Sequence, residues 1–253
     1  MKPVTVRNIT IGEGMPKICV PIVAEKKEEI LEAAKQIVTL PVDVVEWRVD
    51  WFEEGYSSEA ITEVLQELRP ILGQIPLLFT FRTKTEGGEK TILPQLYSEI
   101  LIAAAQTGMV DLVDVEIFTG DKTVRRIIKK VHRAEVKVIA SNHDFEKTPA
   151  KGEIVRRLCK MQLMGADILK IAVMPQSDKD VLTLLAATEK MKRKYAKRPL
   201  ITMSMSGRGV VSRLCGETFG SALTFGAAEK ASAPGQVDVK ALREVLEVIH
   251  GAV

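Results

Sequence analysis

The run Asp167-Ile168-Leu169-Lys170-Ile171-Ala172-Val173 sets a lysine inside a mostly apolar stretch with the length and composition of a buried parallel β-strand. A lysine there loses water on nearly every side, and burial disfavours its ammonium form. An ordinary lysine, with a pKa of about 10.4, is almost fully charged at neutral pH and is a weak nucleophile. A desolvated amine can attack a carbonyl and form a Schiff base. The competing reading is a strand-end lysine with a buried stem and a head that reaches water. The window alone does not choose between them.

Outward from this run, short β-type segments alternate with longer helical ones. Strands are predicted at Ile18–Ile22, Val42–Arg48, Pro76–Arg82, Asp111–Ile117, Val136–Ser141, Asp167–Val173, Leu200–Met205 and Ser221–Phe225. Glu28–Ile37 carries Ile30, Leu31, Ala34 and Ile37 at helical spacing, and Val124–Val131, Glu153–Met164, Lys179–Tyr195 and Val239–Ile249 behave likewise. Strands recur every roughly 25 to 35 residues, which leaves room for one crossover helix each time. Eight such β/α units in 253 residues predict an α/β fold, a (β/α)8 TIM barrel forming one domain over residues 1–253. An open doubly wound sheet is the alternative. Its phosphate fingerprint is missing: there is no Gly-x-Gly-x-x-Gly and no Walker-type loop, and Gly207-Arg208-Gly209 is too short for either. Val4–Val6 and Ile9–Ile11, around Arg7-Asn8, read as an N-terminal β-hairpin that closes the bottom of the barrel.

Hydrophobic residues make up 46% and charged residues 27%, the balance of an ordinary soluble globular protein. A net charge of +3 is too small to argue for nucleic acid but suits small anionic substrates. Aromatic residues, at 5%, are too few for a base-stacking platform. Cys19, Cys159 and Cys215 are far apart and form no Cys-x-x-Cys pair, so reduced thiols in the cytoplasm and no structural zinc are expected. Met1–Arg7 lacks the apolar core of a signal peptide, and no run of 18 apolar residues suggests a membrane span.

The predicted strands carry unusual charge. Glu46 and Arg48, and again Asp114 and Glu116, stand two residues apart and therefore on one strand face. Apolar Val45, Trp47, Val113, Val115, Leu169 and Ile171 fit the helix-facing side, so Glu46, Arg48, Asp114, Glu116 and Lys170 fall in the lumen, with Arg82 at its rim. Isolated buried charges cost several kcal/mol each, so these must pair, neutralise or hold a ligand. A structural salt-bridge network is one account. A polar substrate site at the C-terminal ends of the strands is the better one.

His143, in Ser141-Asn142-His143-Asp144-Phe145, directly follows a predicted strand, at the active-site end of a barrel. Its ordinary pKa of about 6.5 suits a general acid or base. His132 and His250 lie in helical patterns and read as surface or packing residues. Glu86, in Glu86-Gly87-Gly88-Glu89, reads either as part of a solvated acidic loop or as a carboxylate that orients His143 and favours its protonated state. Met203, Met205 and Phe225 close the last two strands as core or as a pocket wall that desolvates the lysine. Arg213 fits bidentate capture of a carboxylate, and Arg208 competes for that role. The loop Gly226–Gln236 reads as a hinged lid or a plain connection, with Ser232 and Gln236 able to meet substrate hydroxyls.

These segments together resemble the type I 3-dehydroquinate dehydratase family of the shikimate pathway. The resemblance runs from Ile11-Gly12-Glu13-Gly14 nearly to the C-terminus. It rests on Glu46-Trp47-Arg48-Val49-Asp50, Phe79-Thr80-Phe81-Arg82 with Glu86-Gly87-Gly88, and Ser141-Asn142-His143-Asp144-Phe145. It continues through Gly165-Ala166-Asp167 with Lys170-Ile171-Ala172-Val173-Met174-Pro175, Ile201-Thr202-Met203-Ser204-Met205, and Ser232-Ala233-Pro234-Gly235-Gln236. It implies a (β/α)8 barrel, a cytoplasmic homodimer with neither metal nor organic cofactor, and dehydration of 3-dehydroquinate to 3-dehydroshikimate. It implies Lys170 as the Schiff-base residue, His143 as general acid/base and Glu86 as its supporting carboxylate. It makes Arg213 the binder of the substrate carboxylate, Glu46, Arg48, Arg82, Ser232 and Gln236 polar contacts, and Met203, Met205 and Phe225 apolar walls. Leu169 departs from the pattern, standing where proline is expected in many relatives. Two rival readings remain. One is a Schiff-base aldolase of sugar phosphates, which needs a phosphate cradle near the last two strands. The other is a non-catalytic barrel that binds a small acid.

Overall fold

A computed structural model describes residues 1–228 and 233–253. Two short antiparallel strands, β1 (Val4–Val6) and β2 (Ile9–Ile11), form the N-terminal hairpin, as their pattern predicts. The parallel strands are β3 (Lys17–Ile22), β4 (Val44–Arg48), β5 (Leu77–Thr80), β6 (Leu112–Glu116), β7 (Lys137–Asp144), β8 (Ile168–Val173), β9 (Leu200–Ser204) and β10 (Leu223–Ala227). They pair in chain order from β3 to β9, and β10 pairs with β3. The ring closes between β9 and β10: Ala222 N donates to Leu200 O at 2.7 Å, beside a parallel bridge from Leu200 to Ser221. The last strand therefore starts later than the predicted Ser221–Phe225, because Ser221 is spent on closure. A two-residue strand, β11 (Val237–Asp238), adds to the outer edge of β10.

The helices are α1 (Lys27–Ile37), α2 (Ser58–Leu72), α3 (Pro94–Gln106), α4 (Asp121–Arg133), α5 (Lys151–Met164), α6 (Asp178–Lys194), the short α7 (Val211–Leu214) and α8 (Gly216–Phe219), and α9 (Val239–His250). Sequence periodicity finds α1, α4, α5, α6 and α9 but not α2 or α3. In α2 the buried Ile61, Val64, Leu65, Leu68 and Leu72 keep helical spacing in spite of Pro70, and the helix is started by Ser57 Oγ accepting from Ala60 N at 3.1 Å. The helix α3 is buried on several sides, through Tyr97, Ser98, Ile100, Leu101, Ile102, Ala104 and Ala105, so it lacks a clean polar face.

Strand alternation sorts the interior. Val45, Trp47, Val113, Val115, Leu169 and Ile171 pack against the helices. Toward the strand starts the lumen is apolar: Val44, Leu78, Leu112, Ile139, Ile168 and Ile201 gather under Val4, Val6 and Ile11 of the hairpin. The hairpin thus plugs one end, tied down by Arg7 Nε on Asp111 Oδ1 at 2.6 Å. The charged lumen residues Glu46, Arg48, Asp114, Glu116 and Lys170 lie from the middle of their strands to the far ends.

Candidate active site

Lys170, only 4% exposed, points into the lumen from the middle of β8. Its neighbour Leu169 faces the helices and donates its N–H to Pro199 O at 3.0 Å, a bond that proline could not make. The lysine Nζ lies 3.4 Å from Asp114 Oδ2, 3.8 Å from Glu46 Oε1 and 4.3 Å from the centre of the Phe225 ring. One wall is therefore carboxylate and the other aromatic.

His143 belongs to β7, which runs three residues past its predicted end by pairing with β8 as far as Asp144 and Val173. That register sets Ser141 beside Lys170 and His143 beside Ala172, so the imidazole follows the amine along the same lumen face. Glu86, on a single 3-10 turn after β5, accepts at Oε2 from the His143 backbone N–H at 2.9 Å and stands 3.0 Å from its Nδ1. Asn142 Nδ2 donates to Oε1 at 3.1 Å. Gly87 follows with φ of +85°, and the Phe145 ring lies so close that a β-carbon at Gly87 would collide with it.

The protonation of this pair departs from expectation. Burial, reinforced by the cationic Arg82, Lys170 and Arg48, holds His143 well below the usual histidine range. Burial, with the Glu116 carboxylate, pushes Glu86 up to about 8. Both shifts favour an uncharged pair at neutral pH. Glu86 orients the ring but does not favour the imidazolium, because a protonated carboxyl offers it no counter-charge. The native state keeps the Glu86 proton up to about pH 8, whereas the unfolded chain releases it near 4.5. In that window the native state binds more protons, so this group lowers stability as pH rises. Glu86→Gln should flatten the change of urea midpoint between about pH 4.5 and 8; an unchanged slope contradicts the assignment.

Arg82 is not at the rim. It is buried, with Nη1 2.8 Å from Glu116 Oε1 and 3.7 Å from Glu86 Oε2, and Nη2 2.9 Å from Asp114 Oδ1. Three carboxyl groups share one guanidinium. Arg48 forms a two-point pair with Asp50, both contacts at 2.8 Å, and Glu46 Oε1 accepts from Thr80 Oγ1 at 2.8 Å.

Arg213 is different. It is 1% exposed on α7, and burial lowers its pKa to about 10. Nη2 donates to Pro234 O at 3.1 Å and Nη1 touches Met203 Sδ at 3.7 Å. Nε has no partner, and no carboxylate pairs with this guanidinium among the described residues. Arg208, the sequence-level competitor, lies outside the cleft and pairs with Asp178.

A cleft is lined by Glu46, Arg48, Arg82, Glu86, His143, Lys170, Met203, Met205, Arg213, Phe225 and Gln236. Ser232 lies outside the described residues. The sequence reading did not assign Gly87, Phe145, Ala172 or Ala233 to this lining. Phe145 was legible only as a motif letter, since its contact with Gly87 joins loops from different strands. His132 and His250 sit away from the cleft, on Asp167 and Glu217 respectively, each at 2.7 Å.

A barrel whose open end gathers a buried amine, an oriented imidazole and a guanidinium that meets no carboxylate among the described residues is equipped for carbonyl chemistry on a small acid. The family model for type I 3-dehydroquinase matches residues 18–253. A 3-dehydroquinate dehydratase of Clostridioides difficile (strain 630) is 56% identical over 252 residues, covering 100% of this chain and 99% of that protein. One from Listeria monocytogenes serotype 4a (strain HCC23) is 54% identical, covering 99% of each. The crystal structure of the type I enzyme from Clostridium difficile with covalent modified comenic acid superposes with a TM-score of 0.97, at 56% identity, covering 100% of this chain and 99% of that one. The enzyme from Geobacillus kaustophilus HTA426 superposes with a TM-score of 0.96 at 38% identity, covering 99% and 97%. The chain belongs to the type I 3-dehydroquinase family.

Proposed function

We propose that this protein dehydrates 3-dehydroquinate to 3-dehydroshikimate through a Schiff base on Lys170, with His143 as general acid and base. The observation that carries the reading is a buried lysine amine sharing one cleft with a neutral imidazole and an arginine that has no acidic partner among the described residues. The covalent adduct named for the Clostridium difficile relative supports it.

The free amine of Lys170 attacks the C3 ketone; loss of water leaves an iminium, which acidifies the C2 proton. Neutral His143 removes that proton, and the electrons are held as an enamine. Protonated His143 then supplies the proton with which the C1 hydroxyl leaves as water. Hydrolysis of the product iminium regenerates the amine. Arg213 fixes the substrate carboxylate and so sets the reacting carbon near His143. Glu46, Arg48, Arg82, Gln236 and Ser232 contact the hydroxyls or shape the electrostatics. Met203, Met205 and Phe225 keep water from the amine. Family likeness supports a cytoplasmic homodimer that works on this small molecule without metal or organic cofactor, and neither nucleic acid nor membrane enters the scheme.

Purified protein given 3-dehydroquinate should produce the ultraviolet absorbance of the conjugated enone, and phosphorylated aldoses should give no cleavage. Enone absent with dehydroquinate, or aldose cleavage, overturns the reading. Arg213→Gln should raise KM about 10- to 100-fold, the loss of one charge-assisted contact, with a smaller change in kcat. An unchanged KM removes Arg213 from substrate binding.

A further inference from the structure

We propose that Asp114 is the fixed counter-ion of the Lys170 nitrogen throughout the reaction, and that Ser141 clamps it in place. The proposal rests on the Schiff-base reading above.

Asp114 is fully buried in the lumen on β6 and does different work with its two oxygens. Oδ1 accepts from Ser141 Oγ at 2.5 Å and from Arg82 Nη2 at 2.9 Å. Oδ2 is left for Lys170 Nζ, 3.4 Å away. Glu46 is farther, and its Oε1, the oxygen toward the lysine, is already taken by Thr80. Ser141 is itself the register partner of Lys170 on the adjoining strand, so the clamp and the amine are carried by one pair of strands. Burial alone would raise the Asp114 carboxyl, but Arg82, Lys170 and Ser141 hold it below the usual carboxylate range. It stays an anion and is a poor proton acceptor.

The chemistry asks for such a group. Amine, ketone and one proton give an iminium cation and one water. That positive charge lies on nitrogen until C2 deprotonation neutralises it as the enamine, and it returns when the C1 hydroxyl leaves as water. A buried cation that appears twice per turnover needs an anion that neither moves nor takes its N–H proton. The other ionisable groups around the amine include Cys19 on β3, Glu46 and Arg48 on β4, Arg82 and Glu86 after β5, His143 on β7 and Arg213 on α7. Arg82 is balanced by Glu116 as well as by Asp114, so Asp114 retains charge for the lysine.

The test is the rate of borohydride trapping at Lys170 with 3-dehydroquinate, read by peptide mass. No adduct in the wild type overturns the Schiff-base reading itself. With the wild-type adduct present, Asp114→Asn should still modify Lys170 but trap at least about tenfold more slowly. Asp114→Glu should restore the rate. A wild-type trapping rate in Asp114→Asn overturns the counter-ion. Should Asp114→Asn not fold, Ser141→Ala decides: it should trap about threefold more slowly with KM unchanged, and wild-type trapping overturns the proposal.

Discussion

Lys170→Ala lowers kcat by at least about 10⁴-fold, the scale of losing a covalent nucleophile. Without Nζ there is no iminium, and the C2 proton keeps the acidity of an ordinary ketone. The variant should nonetheless bind substrate, because Arg213 and the polar groups at the strand ends remain. The substitution also removes a cation from beside Asp114 and Glu46, so some stability is lost and binding must be measured on folded protein. Steady-state ultraviolet kinetics with calorimetric titration of 3-dehydroquinate checks both halves. Turnover within tenfold of the wild type removes the lysine from the chemistry.

His143→Ala lowers kcat by about 10²- to 10⁴-fold, the range for one positioned acid/base. The imidazole serves the C2 proton and then the departing hydroxyl, so both steps slow together. Formation and hydrolysis of the imine slow as well, since the same ring shuttles their protons. Before substitution, the ring's depressed pKa keeps it in the base form below pH 6.5, which places the acid limb of kcat/KM under that value. A near-normal rate in His143→Ala, followed in the same assay, takes the histidine out of the mechanism.

Much of the site can be read from the chain because strand alternation is a rigid rule. Glu46 with Arg48, and Asp114 with Glu116, had to share a face, and the apolar residues between them had to meet the helices. The lysine within an apolar run was visible for the same reason. What the chain hid is what the closed barrel creates. Arg82 read as a rim residue, but three carboxyl groups from different segments converge on it. The extension of β7 through His143 depends on hydrogen bonds to β8, which periodicity within one segment cannot reveal. The missed α3 is sunk against its neighbours on several sides, so the polar stripe that would have marked it is absent. The uncharged Glu86–His143 pair follows from burial of both groups, from the Glu116 carboxylate beside Glu86 and from cations of other strands around His143, whereas a carboxylate beside an imidazole suggested a charged pair.

Borohydride reduction during turnover tests the central claim most directly. Wild-type protein mixed with 3-dehydroquinate and quenched with borohydride should carry one substrate-derived mass increment on the peptide containing Lys170, as a stable secondary amine. Active protein whose Lys170 peptide is recovered unmodified under the same conditions would contradict the account.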